Sequence, residues 1–157
     1  MREITLPLTG GCHCGAVRYE LSAPPLLTYL CHCTDCQRQT GTAFAMSMPA
    51  PRAAFRVTQG DPAHYRRQRA NGSMASARFC GDCGTRLYGD SLPEMVILRP
   101  GTLDDPSWVT PVAQMWTRSA HPWACLDDVL TYEQGMTGFA DAAKAWAALG
   151  LKFVQGA

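Results

Sequence analysis

The sequence has no surplus of charge and no long apolar run. Fourteen basic and 13 acidic residues leave a formal net charge of +1, so there is no electrostatic reason to expect nucleic acid or an anionic membrane as the main partner. The apolar runs fall far short of the roughly 20 residues that span a bilayer. The opening Met1-Arg2-Glu3-Ile4-Thr5-Leu6 lacks the basic region and apolar stretch of a secretory leader. Internal repeats and low-complexity segments are absent too. What remains is a globular chain expected in the cytoplasm. Its 157 residues, 46% of them hydrophobic, suffice for one core without covalent staples.

Cysteine, by contrast, is plentiful. In a reducing compartment eight cysteines are better explained by metal than by disulfides. Seven of them form three groups: Cys12 and Cys14; Cys31, Cys33 and Cys36; Cys80 and Cys83. A structural zinc takes four ligands in a closed tetrahedron. Joining the two pairs gives one four-cysteine site, tying an early strand to a later hairpin, and leaves the triple by itself. Three ligands is the pattern of a catalytic zinc with one position open. The triple also admits other readings: a second closed site, with Cys125, Asp35 or a histidine as fourth ligand, or free redox-sensitive thiols. In an extended chain His32 faces away from the sulfurs of its neighbours.

The surrounding pattern is that of strands. Glu3 to Leu8 alternates, Gly10-Gly11 breaks the run, and Cys12 to Leu21 reads as a second strand with both thiols on one face. Leu26 to Leu30 delivers Cys31 at its end, and Thr42 to Met48 is a buried strand stopped by Pro49 and Pro51. Ala53 to Thr58, Ala63 to Arg69 and Ser73 to Phe79 read as a meander, with Asn71-Gly72 a hairpin turn. Arg66, Arg67 and Arg69 read as a solvated strand face. Cys80-Gly81-Asp82-Cys83-Gly84 has the form of a zinc knuckle, in which glycine accepts the positive φ of the turn. Thr85 to Gly89, Met95 to Arg99 and Pro111 to Thr117 are further short strands, with Trp116 and Trp123 as core or pocket residues. His64 and His121 suit the surface. From Met136, apolar residues at helical spacing end at Gly150, which predicts a helix of about three turns packed on the sheet or on a partner chain. The division expected is residues 1–135 as a zinc-binding β domain and 136–157 as a helical extension, with a homodimer admitted by the apolar helix.

Taken together, Gly11-Cys12-His13-Cys14-Gly15, Cys31-His32-Cys33-Thr34-Asp35-Cys36 and Phe79-Cys80-Gly81-Asp82-Cys83-Gly84 resemble the glutathione-dependent formaldehyde-activating enzyme family, also called the GFA/CENP-V-type domain. Arg38, Gly41, Gly60, Gly101-Thr102-Leu103-Asp104-Asp105 and Pro122-Trp123 extend the resemblance over about residues 9 to 134. It implies an all-β, Mss4-like (β-tent) fold of small antiparallel sheets. It implies a structural zinc on Cys12, Cys14, Cys80 and Cys83, and a catalytic zinc on Cys31, Cys33 and Cys36. The second site, one ligand short, is expected to empty first. The activity implied is carbon–sulfur lyase chemistry: reversible condensation of formaldehyde with glutathione to S-hydroxymethylglutathione. Gln114 stands where many members carry histidine, and the helix after residue 136 lies outside the resemblance.

Three thiolates on zinc leave about one net negative charge and a soft Lewis acid, suited to an incoming thiolate or a small carbonyl. Asp35 and Thr34 are the candidates to manage the proton. Arg38 is the candidate to meet a substrate carboxylate, or else to offset the charge of the cluster. The competing class is a non-enzymatic zinc module with two structural sites. A methionine sulfoxide reductase on the related fold is set aside, because its structural zinc wants two Cys-x-x-Cys pairs and the first pair here is Cys-x-Cys.

Overall fold

The computed structural model describes residues 2–69 and 71–156. Alternation sets its opening: in β1 (Glu3–Leu6) Ile4 and Leu6 turn inward, and in β2 (Leu8–Gly11) Leu8 and Gly10 do. The chain then reverses into β3 (Arg18–Leu21), with Tyr19 and Leu21 buried. Cys12 and Cys14 therefore lie in a hairpin turn rather than in the strand the alternation predicted. The turn is closed by Cys12 N–H donating to Val17 O at 3.0 Å and Gly15 N–H to Cys12 O at 3.1 Å, and Gly15 has φ +81. Local hydrogen bonding and a left-handed glycine override the strand pattern.

Next come β4 (Tyr29–Cys31), the helix α1 (Thr34–Thr40), β5 (Ala45–Pro51) and β6 (Phe55–Gln59). The helix is absent from the sequence reading, because seven residues beside two cysteines carry too little periodicity to show one. Strand β5 runs through Pro49 to Pro51, where a stop was expected. Pro49 turns its edge toward the β4 side, where pairing with β4 has ended at Tyr29 opposite Ser47 and where its carbonyl accepts from Leu26 N–H at 2.9 Å. No ladder bond is lost to the missing donor.

Strands β7 (Ala63–Gln68), β8 (Met74–Phe79), β9 (Arg86–Gly89) and β10 (Met95–Leu98) form an antiparallel meander, with Asn71-Gly72 in the first turn. β6 is not part of it: it pairs with β3 instead. Then follow β11 (Ala113–Met115), β12 (Leu130–Tyr132), the helix α2 (Ala140–Ala147) and β13 (Lys152–Gln155). The helix is shorter than the apolar spacing predicted, and β13 pairs in parallel with β1.

Among the described residues these strands make three sheets. One has eight strands in the order β12-β11-β4-β5-β10-β9-β8-β7, one is β2-β3-β6, and one is β1-β13. The fold is all-β, with pairing antiparallel except where β11 runs parallel to β4 and β12, and β1 to β13. Tyr19, Leu21 and Phe55 of the three-stranded sheet face Leu87, Tyr88, Val96 and Leu98 of the large one in a common core. The Phe55 ring is edge-on to Tyr88 at 4.6 Å and tilted against Tyr19 at 5.5 Å. Ala142 and Trp146 of α2 belong to the same core, where Trp146 meets Trp108 at 6.3 Å. Trp123 does not: it is 79% exposed and stacks on His121 at 5.9 Å. Among the described residues no helix is long and apolar enough to cross a membrane.

The residues 101–105 fasten the first hairpin. Asp104 accepts from Thr9 Oγ1 at 2.6 Å and Arg18 Nη1 at 2.9 Å, and Thr102 Oγ1 meets Tyr19 OH at 2.8 Å. Gly60, at the end of β6, props the same hairpin from the other side. It has φ +73, and a Cβ there would lie 2.3 Å from Ala16 O in the cysteine turn. Gly60→Ala should destabilise the protein by about 2 kcal/mol in urea unfolding, from φ strain and displaced backbone together. Gly41→Ala is the control: φ is +64 but nothing lies within 4 Å, so it should cost less. Equal losses would refute the role given to the Ala16 contact.

The Arg18 hydrogen bond, foremost, holds the Asp104 carboxyl below its ordinary value, with Thr9 adding to it. A folded-state value below the unfolded one means stability that is present above about pH 4 and lost as pH falls through the folded value. Asp104→Asn should therefore flatten the acid limb of a stability–pH curve. An unchanged slope would rule this contribution out.

Candidate metal centres

Two cysteine clusters emerge from this framework. The turn between β2 and β3 brings Cys12 and Cys14 against Cys80 and Cys83 from the turn between β8 and β9, with all four sulfurs within 4.8 Å of one another. Cys12 Sγ lies 3.5 Å from Cys14 Sγ, which lies 3.7 Å from Cys80 Sγ. Metal–sulfur bonds of about 2.3 Å imply a tetrahedral edge of about 3.8 Å, so the spacing fits a bound ion, and none of the eight cysteines is in a disulfide. The backbone is arranged around the sulfurs. Val17 N–H donates to Cys12 Sγ at 3.1 Å, Gly84 N–H to Cys80 O at 2.9 Å, and Gly84 has φ +73.

The protons of this cluster report the same crowding. Hydrogen bonds from the Thr85 hydroxyl and backbone hold Cys83 down at about 5. Cys14, although it accepts from the Ala16 backbone, is pushed up to about 12 by Cys12 and Cys83. Adjacent thiolates repel, and a cation at the centre is what allows all four to ionise together.

The second cluster is built where β4 gives way to α1. Cys31 ends the strand and is buried, Cys33 caps the helix, and Cys36 sits in its first turn and donates its N–H to Cys33 Sγ at 3.4 Å. Gln37 secures the corner, donating from Nε2 to His32 O at 2.8 Å and Ser119 O at 2.9 Å. The three sulfurs again lie within 4.8 Å of one another, and among the described residues no fourth Cys, His, Asp or Glu ligand atom is that close to all three. The Cys31 and Cys36 thiols donate to Cys33 and pull it down to about 2, while the same contacts push Cys31 up. Three crowded thiols are a soft donor set suited to a divalent cation such as zinc.

The other candidates separate clearly. His32 is fully buried, edge-on to Phe44 at 5.6 Å, and burial lowers its proton affinity; it is outside the cluster. Cys125 is half-exposed and also outside it. Gln114 is a structural pin: it bonds Leu126 through both main-chain groups, at 2.7 Å and 3.0 Å, and Thr131 Oγ1 at 2.9 Å. Thr34 and Arg38 are exposed and do not line the cleft described next.

The triple opens on a cleft of about 300 Å³. Asp35 lines it and is ion-paired with Arg67, and Arg69 lines it directly, so part of the basic cluster read as a solvated face stands at the cleft. Trp116, with the left-handed φ of 60, lies on another, and the Arg118 guanidinium lies 4.9 Å from its ring centre. Arg86 and Arg99 complete the lining. Sequence reasoning passed over both. The one available signal was an arginine three residues beyond Cys83, on a strand leaving a metal knuckle.

The fold and the two clusters define an all-β domain with two cysteine groups that could each hold a metal ion, one of them facing a cleft. Residues 7–119 match the family described as glutathione-dependent formaldehyde-activating enzyme, and the chain belongs to that family. A crystal structure of a Rhodobacter sphaeroides protein superposes with a TM-score of 0.50 at 22% identity, over 80% of this chain and 99% of that one. At that identity the likeness speaks to the fold.

The two donor sets should differ in how they hold zinc. With a mild chelator in excess, release should be biphasic: one equivalent fast, from the three-sulfur site, and one slow. A single slow phase would mean that the triple is closed by a fourth ligand.

Proposed function

We propose that the protein is a zinc-dependent carbon–sulfur lyase acting on a thiol–aldehyde adduct such as S-hydroxymethylglutathione, with Cys31, Cys33 and Cys36 at its centre. The observation that carries this reading is a three-thiol cluster with no fourth Cys, His, Asp or Glu ligand among the described residues, opening on a cleft. Zinc bound there supplies Lewis acidity and a place for the sulfur of a thiolate.

In the condensing direction the sulfur forms a bond to the aldehyde carbon, the carbonyl π bond breaks, and the proton first carried by sulfur ends on oxygen. Cleavage runs the same exchange backwards. Asp35 is the cleft's one lining carboxylate among the described residues. It can take the thiol proton and return it to the adduct oxygen, with Arg67 fixing its orientation. The four-cysteine cluster has a structural part, because it joins two hairpin turns.

Cys33→Ser should lower bound zinc from two equivalents to one and abolish formation of S-hydroxymethylglutathione from glutathione and formaldehyde, while circular dichroism stays native. Turnover that survives loss of that zinc would refute the proposal.

A further inference from the structure

The cleft contains an imbalance of charge that the chemistry above leaves unused. Arg86 presents Nε and Nη1 shielded from solvent with no hydrogen-bond partner, and Arg99 presents Nε in the same condition. Arg99 is nevertheless held in place, donating from Nη1 to Ser47 Oγ at 2.5 Å and to Met46 O at 3.2 Å. Unmade guanidinium hydrogen bonds at buried positions are costly and rare in native proteins.

Nor does a carboxylate of the protein answer them. Asp35, the acidic side chain on the cleft wall, is engaged by Arg67. Burial, with the Arg99 charge behind it, disfavours the charge on Arg86, and the cysteine sulfurs oppose both. A divalent ion on three thiolates carries a net charge of about −1 and Asp35 adds another, whereas the lining arginines Arg69, Arg86 and Arg99 bring +3. The cleft is left with a surplus of about one positive charge and with unmade donor bonds.

We propose that Arg86 and Arg99 form an oxyanion-recognition site in the cleft, selecting thiols that carry a carboxylate or similar anionic group a few bonds from the sulfur. Arg86 is the principal contact because it lines the cleft and no protein acceptor holds its two shielded nitrogens, which leaves the guanidinium free to turn them toward a ligand, and Arg99 is the anchored second cation. In taking the ligand to be a thiol, this rests on the function proposed above; the oxyanion site itself does not. The competing role for Arg86, a counter-charge to the thiolate cluster alone, makes it indifferent to the remote end of the ligand.

The test is a set of small thiols titrated calorimetrically into the zinc-loaded protein. 3-Mercaptopropionate should bind at least about tenfold more tightly than neutral 2-mercaptoethanol, as a charge-assisted hydrogen bond requires. In Arg86→Gln that ratio should fall to within about twofold, with 2-mercaptoethanol affinity little changed. Each thiol has the same acidity in both titrations, so the change in ratio isolates Arg86. A similar preference for 2-mercaptoethanesulfonate would extend the site to tetrahedral oxyanions, and its absence would restrict it to carboxylates. A ratio unaltered in the variant overturns the proposal. So does equal loss of affinity for both thiols, the mark of a counter-charge.

Propionate, which has no thiol, separates this inference from the proposed function. In ¹⁵N NMR of the unmutated protein it should shift the Arg86 Nε–H signal, a measurement that stands even where Arg86→Gln fails to fold. If neither thiol binds, the function proposed above fails, and the propionate shift alone decides the oxyanion site. A signal that does not move sinks it.

Discussion

Four sulfurs from two hairpin turns share a space less than 4.8 Å across, and much of the architecture is arranged to hold them there. Two unit charges at that separation repel by several kcal/mol in a protein-like medium, so the cluster is unfavourable as bare thiolates and strongly favourable around a divalent cation. The residues it joins are 66 positions apart. One turn belongs to the three-stranded sheet and the other to the eight-stranded sheet. Closing the cluster therefore registers one sheet on the other, the arrangement in which Phe55 lies between Tyr19 and Tyr88. Gly60 against Ala16 and Asp104 between Thr9 and Arg18 hold the first turn from both flanks.

The second cluster obeys the same electrostatics with a different surround. Its sulfurs come from a strand end and the first turn of a helix, seated by Gln37 on His32 O and Ser119 O. The four-cysteine cluster brings four donors together, whereas the triple has no fourth Cys, His, Asp or Glu ligand atom among the described residues and looks into a cleft. Family membership alone would not distinguish the two, since one fold can host closed and open sites alike. The distinction lies in ligand number and in what stands beside the sulfurs.

How much of this was legible in the sequence follows from how local each signal is. The cysteine groups and the Asn71-Gly72 hairpin are contained in a few residues and could be read directly. The partition into four and three cysteines also survived, because it needed only arithmetic. Features set by distant partners were not visible. Strand β6 leaves the meander for β3 because its inward residues fit the smaller sheet, and β13 exists through pairing with β1. Pro49 stays in a strand because β4 ends opposite it. Trp123 was read from its size as a core or pocket residue, but the 3₁₀ turn at Pro122–Ala124 carries it outward onto His121.

The same locality explains why the cleft's cations were misread. A search near the cysteines in sequence finds Arg38, on the helix that carries Cys36, and that helix turns it to solvent. The cations near in space come from elsewhere: Arg86 from the strand that leaves the other cluster's knuckle, Arg99 from just beyond β10, Arg67 from the meander edge. Of these, Arg67 is spent on Asp35, and Arg99 is partly spent on Ser47 and Met46. Arg86 has two buried nitrogens still unbonded. A knuckle that closes one cluster thus also delivers a cation to the cleft beside the other, so the two cysteine groups are linked through the strand that leaves Cys83.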